Sequence, residues 1–241
     1  MQKKWYIRSS SSDTDDIIEK ILEKRGLKDK NEIEDFLNPD LTKLNDPFLF
    51  SDMKDAVEII IRAAENEQKV MIYGDYDVDG ITGTSLLYKF LSDYLNMEVD
   101  YYLPDRVEEG YGLNKAAVRD IVDNKYQLMI TVDCGITALD EIELAHKGRL
   151  KTIITDHHQP GPKLPQADAL INPKVKDEKY PFSRLAGVGV AFKLCQGIVK
   201  MKENKVLIPE LKEHLDLVAL GTVADIVSLK GENRIIVNEG I

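Results

Sequence analysis

Residues 69–83 read KVMIYGDYDVDGITG, and this segment decides the fold that the sequence predicts. Residues 69–73 are mostly apolar and β-prone, which is typical of a strand buried in a sheet. The glycine and the alternating aspartates that follow indicate a loop, and residues 83–94 have the pattern of a helix. Strand, polar loop and helix in this order begin a βαβ unit, so the segment predicts a parallel sheet covered by helices.

The same pattern recurs along the chain. We predict strands at 69–73, 99–103, 128–132, 152–155 and 168–171, and helices at 17–25, 31–37, 53–66, 83–94, 114–124, 138–146, 188–201 and 209–220. The predicted fold class is α/β, a parallel sheet flanked by helices, with residues 1–50 as a short helical N-terminal segment and residues 51–241 as the main domain. The polar run 9–16 offers N-caps for the first helix, and a flexible arm is its alternative.

The composition is that of a water-soluble domain, with 43% hydrophobic and 31% charged residues and no apolar run long enough to span a bilayer. The two cysteines, Cys134 and Cys195, are too few for a disulfide scaffold or a cysteine-based zinc site, so we expect a reducing cytoplasm. The net charge of −10 disfavours a tight duplex-DNA binder. It does not exclude an enzyme whose acidic residues hold cations, because bound cations reverse the local field.

Acidic loops follow three of the predicted strands. These loops contain Asp75, Asp77 and Asp79, then Asp133, then Asp156, His157 and His158. The carboxyl ends of parallel strands share one edge of the sheet, so these side chains are expected to meet. A further acid, Asp225, stands in an otherwise apolar run. Carboxylates gathered without cationic partners repel each other, and the pattern therefore predicts a metal site.

Three other interpretations explain the aspartate-rich segment less well than a metal site shared by several loops. An EF-hand that starts at Asp75 requires a bidentate Glu where the sequence has Leu86. A haloacid-dehalogenase phosphatase also places two aspartates after a strand, but it leaves the paired histidines unexplained. A solvated acidic turn accounts for one pair of acids, and not for three acids with later partners. The isolated His146 and His214 are interpreted as ordinary histidines.

Four motifs occur in the order GDYDVDGITGTSLL, DCG, DHH and GTVAD, and this series resembles the signature of the DHH phosphoesterase family. Within it, residues 104–106 (PDR), 110–112 (GYG) and 185–193 (LAGVGVAFK) resemble the RecJ-type branch of single-strand-specific exonucleases. The resemblance covers about residues 50–241. Other branches carry a histidine where this sequence has Tyr73.

The resemblance implies a set of metal ligands for two divalent ions. By motif match these are Asp77, Asp79, Asp133, His157 and Asp225, with Asp133 as the bridge and Asp75 as a further ligand. Oxygen ligands with one imidazole favour Mn²⁺, and Mg²⁺ is the alternative. Asp156 would orient the histidines, and His158 would face the scissile phosphate as a charge stabiliser or proton donor.

Further residues are implied to bind the substrate phosphate. Arg106 resembles the phosphate-binding arginine of the family, and the alternative is a surface ion pair with Glu108 or Glu109. The backbone N–H groups of Gly187 and Gly189 could receive a phosphate at a helix start. Tight helix packing is the alternative for this pair, and we favour it slightly.

The resemblance implies hydrolysis of single-stranded DNA in the 5′→3′ direction to nucleoside 5′-monophosphates. Its implied partners are single-stranded DNA and, among proteins, a single-strand-binding protein or a helicase. Two alternatives remain: a phosphodiesterase for short oligonucleotides or cyclic dinucleotides, and a non-catalytic replication adaptor of the Cdc45 kind, against which the filled ligand positions argue. Members of the branch continue into a DHHA1 domain and an oligonucleotide-binding domain, so we expect this chain to be the catalytic part of a longer protein.

Overall fold

The computed structural model describes residues 17–205 and 207–241, so the predicted capping run 9–16 lies outside the described residues. The chain divides into two compact units, Met1–Asp40 and Leu41–Ile241, the first of which ends before the boundary predicted at residue 50. The described part of the first unit contains helices α1 (Ile17–Lys24) and α2 (Lys30–Leu37). The side chain of Asp29 caps α2 by accepting hydrogen bonds from the N–H groups of Asn31 and Glu32.

The second unit alternates strands and helices. Its strands are β1 (Val70–Gly74), β2 (Val99–Tyr102), β3 (Leu128–Val132), β4 (Lys151–Thr155) and β5 (Ala169–Ile171). Its α-helices are α3 (Met53–Glu65), α4 (Val78–Leu95), α5 (Lys115–Asp123), α6 (Leu139–Lys147), α7 (Gly187–Glu203), α8 (Pro209–Lys212), α9 (Leu215–Ala224) and α10 (Gly231–Gly240). Two short 3₁₀ turns, Leu41–Lys43 and Pro47–Leu49, precede α3.

The five strands form one parallel sheet in the order β2-β1-β3-β4-β5. The chain therefore moves outward to β2 on one side of β1 and to β3, β4 and β5 on the other. Ligands of such sheets bind outside the carboxyl ends of the strands, where the strand order reverses. In this sheet the reversal lies between β1 and β3. The predicted fold class is confirmed.

Each face of the sheet is buried by its own group of helices. Along β1, Val70 and Ile72 join the larger core, to which α3, α4, α7, α9 and α10 contribute, whereas Met71 and Tyr73 join the smaller core with α5 and α6. Side chains alternate between the faces of a strand, so a strand covered on both faces must be apolar throughout. This explains why β1 and β3 are buried along their whole length.

The structure differs from the sequence prediction in two places after residue 208. The single helix predicted at 209–220 is wrong, because the chain forms the short helix α8 and then α9, separated by Glu213 and His214. Helix α10 was not predicted, because its apolar residues Ile235–Val237 are consecutive and do not follow a helical period. Of the described helices, none is long and apolar enough to cross a membrane.

A buried ion pair joins α7 to α10. The ammonium group of Lys193, which is fully buried, contacts the carboxylate of Glu232 and donates to the backbone carbonyl of Asn45, 3.0 Å away. Glu232 also accepts hydrogen bonds from the Tyr180 hydroxyl and the Asn45 N–H. Burial lowers the pKa of Lys193, although the neighbouring Glu232 opposes this effect. With one partner removed, the other charge stays buried without compensation.

We expect Lys193→Met to lower the free energy of unfolding by about 3–5 kcal/mol, because Glu232 loses its counter-charge. The matched control is Lys200→Met on the same helix, whose partner Asp46 is partly exposed. That change should cost less than about 1 kcal/mol. Urea titrations followed by circular dichroism measure both values, and equal losses would contradict the assignment of a buried pair.

Candidate metal centre

The loop after β1 carries the first three acids of the site. Asp75 directly follows the strand, and Asp77 caps α4 by accepting a hydrogen bond from the Gly80 N–H at 3.0 Å. A Cβ on Gly80 would lie 2.5 Å from the carbonyl oxygen of Asp75, so the turn from strand to helix has room for glycine alone. Asp79 lies in the first turn of α4 and is buried.

The N-terminus of α7 holds Asp79. Its two carboxylate oxygens accept hydrogen bonds from the N–H of Gly187 at 2.6 Å and of Val188 at 2.8 Å. The positive end of the helix dipole adds to these bonds. Burial nevertheless raises the pKa of Asp79, and the repulsion of Asp225 adds to that rise.

These contacts bear on the phosphate-binding role predicted for the two glycines. The Gly187 N–H donates to Asp79, and a Cβ on Gly187 would lie 2.6 Å from the carboxyl group of Asp133, so this glycine allows α7 to approach the acids. A Cβ on Gly189 would meet Leu185 at 3.2 Å, a packing contact. Phosphate binding by Gly187 and Gly189 stays a prediction, and the contacts of both residues are those expected of close packing.

Asp133 follows β3 in a strained backbone conformation, with a φ of 61°. Left-handed backbone is uncommon for residues other than glycine, although Asp and Asn tolerate it best. The conformation brings Oδ1 of Asp133 to 3.1 Å from Nε2 of His157. This oxygen is buried and accepts no hydrogen bond among the described residues. Burial raises the pKa of Asp133, and the repulsion of Asp79 raises it further.

Asp156 organises the two histidines that follow β4. It accepts hydrogen bonds from the backbone N–H groups of Ile136, His157 and His158, and its Oδ1 lies 2.8 Å from Nδ1 of His158. Burial alone would raise the pKa of Asp156, but the His158 ring and the N–H donors hold it below its ordinary value. The predicted orienting role therefore agrees with its contacts.

His157 presents a free ring nitrogen to the acids. Its Nδ1 lies 3.0 Å from the Leu185 carbonyl oxygen, which can only accept, so Nδ1 carries a proton and Nε2 is the ring nitrogen that faces the acids. Nε2 lies 3.6 Å from an oxygen of Asp225 and 3.9 Å from an oxygen of Asp79. A neutral imidazole held by a backbone carbonyl is the usual form of a metal ligand.

The ligand atoms fall into three overlapping groups, each with all atoms within 4.8 Å of one another. The groups are Asp75, Asp77 and Asp133; Asp79, His157 and Asp225; and Asp133, His157 and His158. Asp133 and His157 each belong to two groups, which suits two neighbouring ions that share a ligand. Thus the structure brings together all six residues predicted as metal ligands.

Unsatisfied polar atoms test whether these residues fit cations. The buried atoms without a hydrogen-bond partner among the described residues include Asp75 Oδ1, Asp133 Oδ1, His157 Nε2 and Asp225 Oδ2. Buried polar atoms of folded proteins are nearly always satisfied, so a cluster of acceptors without donors calls for a cation. Burial also raises the pKa of Asp75 and Asp225. The donor set of carboxylate oxygens and an imidazole fits Mn²⁺ or Mg²⁺.

His158 lies at the rim of the site, with 43% of its side chain exposed. The hydrogen bond to Asp156 raises the pKa of His158 despite partial burial, which favours the imidazolium form. The Tyr111 hydroxyl lies 3.0 Å from His158 Nδ1 and 3.2 Å from the Asp133 carbonyl oxygen. Tyr111 was noted in the sequence only as part of a motif. The signal available was its position between Gly110 and Gly112, both of which have positive φ.

Arg106 lies on the exposed loop between β2 and α5. Its guanidinium group is 5.5 Å from the centre of the Tyr76 ring, and Tyr76 stands between the acids at 75 and 77. The ion pair considered as an alternative is absent among the described residues. Glu109 instead accepts hydrogen bonds from Tyr102 and Asn114. Contact with a substrate phosphate stays a prediction for Arg106.

Known proteins resemble this chain in sequence. The sequence profile described as "DHH family, N-terminal domain" matches residues 69–222. The single-stranded-DNA-specific exonuclease RecJ of Bacillus subtilis is 44% identical over 226 residues, which are 93% of this chain and 28% of that protein. The RecJ of Escherichia coli is 40% identical over 79% of this chain and 34% of that protein. The chain thus spans about a third of the length of these relatives.

Solved structures agree with the sequence comparison. A RecJ crystal structure with manganese has a TM-score of 0.73 and 32% identity, covering 83% of this chain and 49% of that one. The RecJ of Thermus thermophilus with Mn²⁺ has a TM-score of 0.74 and 29% identity, covering 91% of this chain and 30% of that one. CDC45 from Entamoeba histolytica, at 13% identity and a TM-score of 0.51, shares the fold alone.

We expect Asp133→Asn to have two effects. Without metal, the variant should be more stable than the unchanged protein, and added Mn²⁺ should no longer stabilise it further. The amide relieves repulsion among buried carboxylates and tolerates the left-handed backbone, so the free energy of unfolding should rise by about 1–2 kcal/mol. In the unchanged protein, Mn²⁺ at a hundred times its dissociation constant should add about 2.7 kcal/mol. Thermal unfolding with and without Mn²⁺ measures both effects.

The control for this variant is Asp123→Asn at the exposed end of α5. It removes the same charge away from the site and should leave both stabilities unchanged. If Asp133→Asn kept the full response to Mn²⁺, the assignment of Asp133 as a shared ligand would be wrong.

Proposed function

This chain belongs to the DHH family, and on that basis we propose that it is the catalytic part of a metal-dependent exonuclease that hydrolyses single-stranded DNA. The observation that carries the proposal is the gathering of buried acceptor atoms from four separate segments of the chain, with no hydrogen-bond donor for them among the described residues. The proposed direction is 5′→3′ and the proposed products are nucleoside 5′-monophosphates. The relatives from Bacillus subtilis and Escherichia coli are single-stranded-DNA-specific exonucleases, which supports this substrate.

We propose Asp75, Asp77, Asp79, Asp133, His157 and Asp225 as ligands of two Mn²⁺ ions, with Mg²⁺ as the alternative. Structures of RecJ proteins with Mn²⁺ and with Mg²⁺ support this choice. When bound, such ions supply an activated water and neutralise the charge of a phosphate. No nucleophilic side chain of the protein is then required.

The side chains around the ligands have their own parts in the proposed reaction. Asp156 holds Nδ1 of His158, so Nε2 of His158 is the atom that can donate a proton or a hydrogen bond to a phosphate oxygen. The hydrogen bond to Asp156 raises the pKa of His158, which favours the protonated ring that such donation requires. Tyr111 contacts both His158 and the Asp133 backbone, which supports the orientation of the ring.

The net charge of −10 supports a substrate that is engaged through the metal site and not through an extended basic surface. Arg106 is proposed to bind a substrate phosphate, because its guanidinium group lies above Tyr76 beside the acidic loop. A single-strand-binding protein or a helicase as protein partner stays a prediction from the resemblance.

We expect His158→Ala to lower kcat by about 10²- to 10⁴-fold on a 5′-phosphorylated single-stranded oligonucleotide, because the proton donor is lost. Mn²⁺ affinity, measured by calorimetry, should stay near that of the unchanged protein. The matched control is His146→Ala on α6, whose ring contacts Asp168, the residue that directly precedes β5. It should leave kcat unchanged, and an equal loss in both variants would argue against a catalytic His158.

The substrate class is tested with the chain and Mn²⁺ on three substrates of equal concentration. These are a single-stranded oligonucleotide, the same sequence as a duplex, and a cyclic dinucleotide. We expect mononucleotides to form from the single strand at least about tenfold faster than from the others. Hydrolysis of the cyclic dinucleotide alone would favour the second phosphodiesterase class, and bound Mn²⁺ without hydrolysis would favour a non-catalytic adaptor.

A further inference from the structure

Helix α10 contributes one fully buried polar side chain that the proposed site does not use. The Asn233 side-chain nitrogen donates to the carbonyl oxygen of Arg184 at 2.6 Å and to that of Ser228 at 3.1 Å. Both partners can only accept, so the amide must turn its NH₂ group toward them. Its own oxygen has no partner among the described residues. The side chain therefore serves to hold two carbonyl groups at a fixed separation.

The first of these carbonyls begins the segment that holds two proposed ligands. Arg184 directly precedes Leu185, whose carbonyl oxygen fixes Nδ1 of His157 at 3.0 Å. Two residues further on, the N–H groups of Gly187 and Val188 bind the carboxylate of Asp79. A shift of this segment would therefore move the acceptor that sets the His157 tautomer and the donors that hold Asp79.

The second carbonyl closes the turn that follows Asp225. Between Asp225 and Ser228 the chain passes through Ile226, which has a φ of 58° and is 90% exposed. Left-handed backbone is unfavourable for a β-branched residue, and this exposed side chain has little packing to offset the cost. The turn therefore needs an external constraint, and the hydrogen bond from Asn233 to Ser228 supplies one.

We infer that Asn233 is a positioning residue for the metal centre. It joins residues 184–188 to the turn 225–228, and so sets the place of His157 between Asp79 and Asp225. The separations it maintains are 3.9 Å and 3.6 Å from His157 Nε2 to those two carboxylates. This inference rests on the proposed metal site. It also gives a role to α10, which lies beyond the residues matched by the family profile.

The neighbouring Lys193–Glu232 ion pair makes different contacts from those of Asn233. It joins the same two helices, α7 and α10, but its atoms contact Asn45 and Tyr180 and not the segment 184–188. The general packing of α10 can therefore be separated by experiment from the placement of the proposed ligands.

The test compares Asn233→Ala with Ile236→Ala, which removes a buried apolar side chain from the same helix that can donate no hydrogen bond to either carbonyl. In the metal-free protein, long-range ¹H–¹⁵N spectra report which ring nitrogen of His157 carries the proton. We expect the unchanged protein and Ile236→Ala to keep the proton on Nδ1, and Asn233→Ala to show a mixture with the Nε2 form. Calorimetry with Mn²⁺ should give an affinity about 10- to 100-fold weaker for Asn233→Ala, and an affinity within about twofold of the unchanged protein for Ile236→Ala.

The inference is overturned if Asn233→Ala keeps the Nδ1 form and binds Mn²⁺ as tightly as the unchanged protein. It is also overturned if Ile236→Ala weakens Mn²⁺ binding to the same extent at equal loss of thermal stability. If the unchanged protein binds no Mn²⁺, the proposed metal site fails, and the His157 spectrum still decides the role of Asn233. If the alanine variant does not fold, Asn233→Ser, which keeps a hydroxyl donor, takes its place with an intermediate effect expected.

Discussion

Repulsion among buried carboxylates at one edge of the sheet is the constraint on which the rest of the second unit depends. Asp79 and Asp133 are almost fully buried, and a single ring nitrogen of His157 faces both of them and Asp225. Burial raises the pKa of each of the three acids, so the arrangement costs free energy in the absence of cations. To keep such a cluster together, the fold must fix its side chains by contacts with surrounding residues.

Asp79 and His157, two of the proposed ligands, are held by groups that are not themselves proposed ligands. The start of α7 binds Asp79, the Leu185 carbonyl orients His157, Asp156 fixes the backbone after β4, and glycines allow close approach where a Cβ would collide. These supports come from backbone groups and buried side chains, which cannot rearrange independently of the core. The proposed site is therefore preorganised, with its residues in place for a cation.

Much of this protein was predictable because its sequence patterns have local physical causes. Apolar runs of about five residues predicted all five strands, and the acids that end three of them predicted where the site would lie. Helix α10 and the break between α8 and α9 were missed, because short helices have weak periodicity and are decided by packing. Tyr111 was not identified as a neighbour of His158, because the glycines on either side of it indicate a turn but not the residues that the turn brings it to.

The sequence by itself determined the α/β class, the family resemblance and the identity of the candidate ligands, because strand and loop composition follow from burial and from side-chain chemistry. Only the tertiary structure decided the strand order, which places the reversal between β1 and β3 and so brings Asp75 and Asp133 together. Only the tertiary structure shows that the Gly187 N–H donates to Asp79 and that Asn233 joins two distant segments. These are contacts between residues far apart in the chain. Local sequence does not predict which distant acceptor will form a hydrogen bond with a given donor.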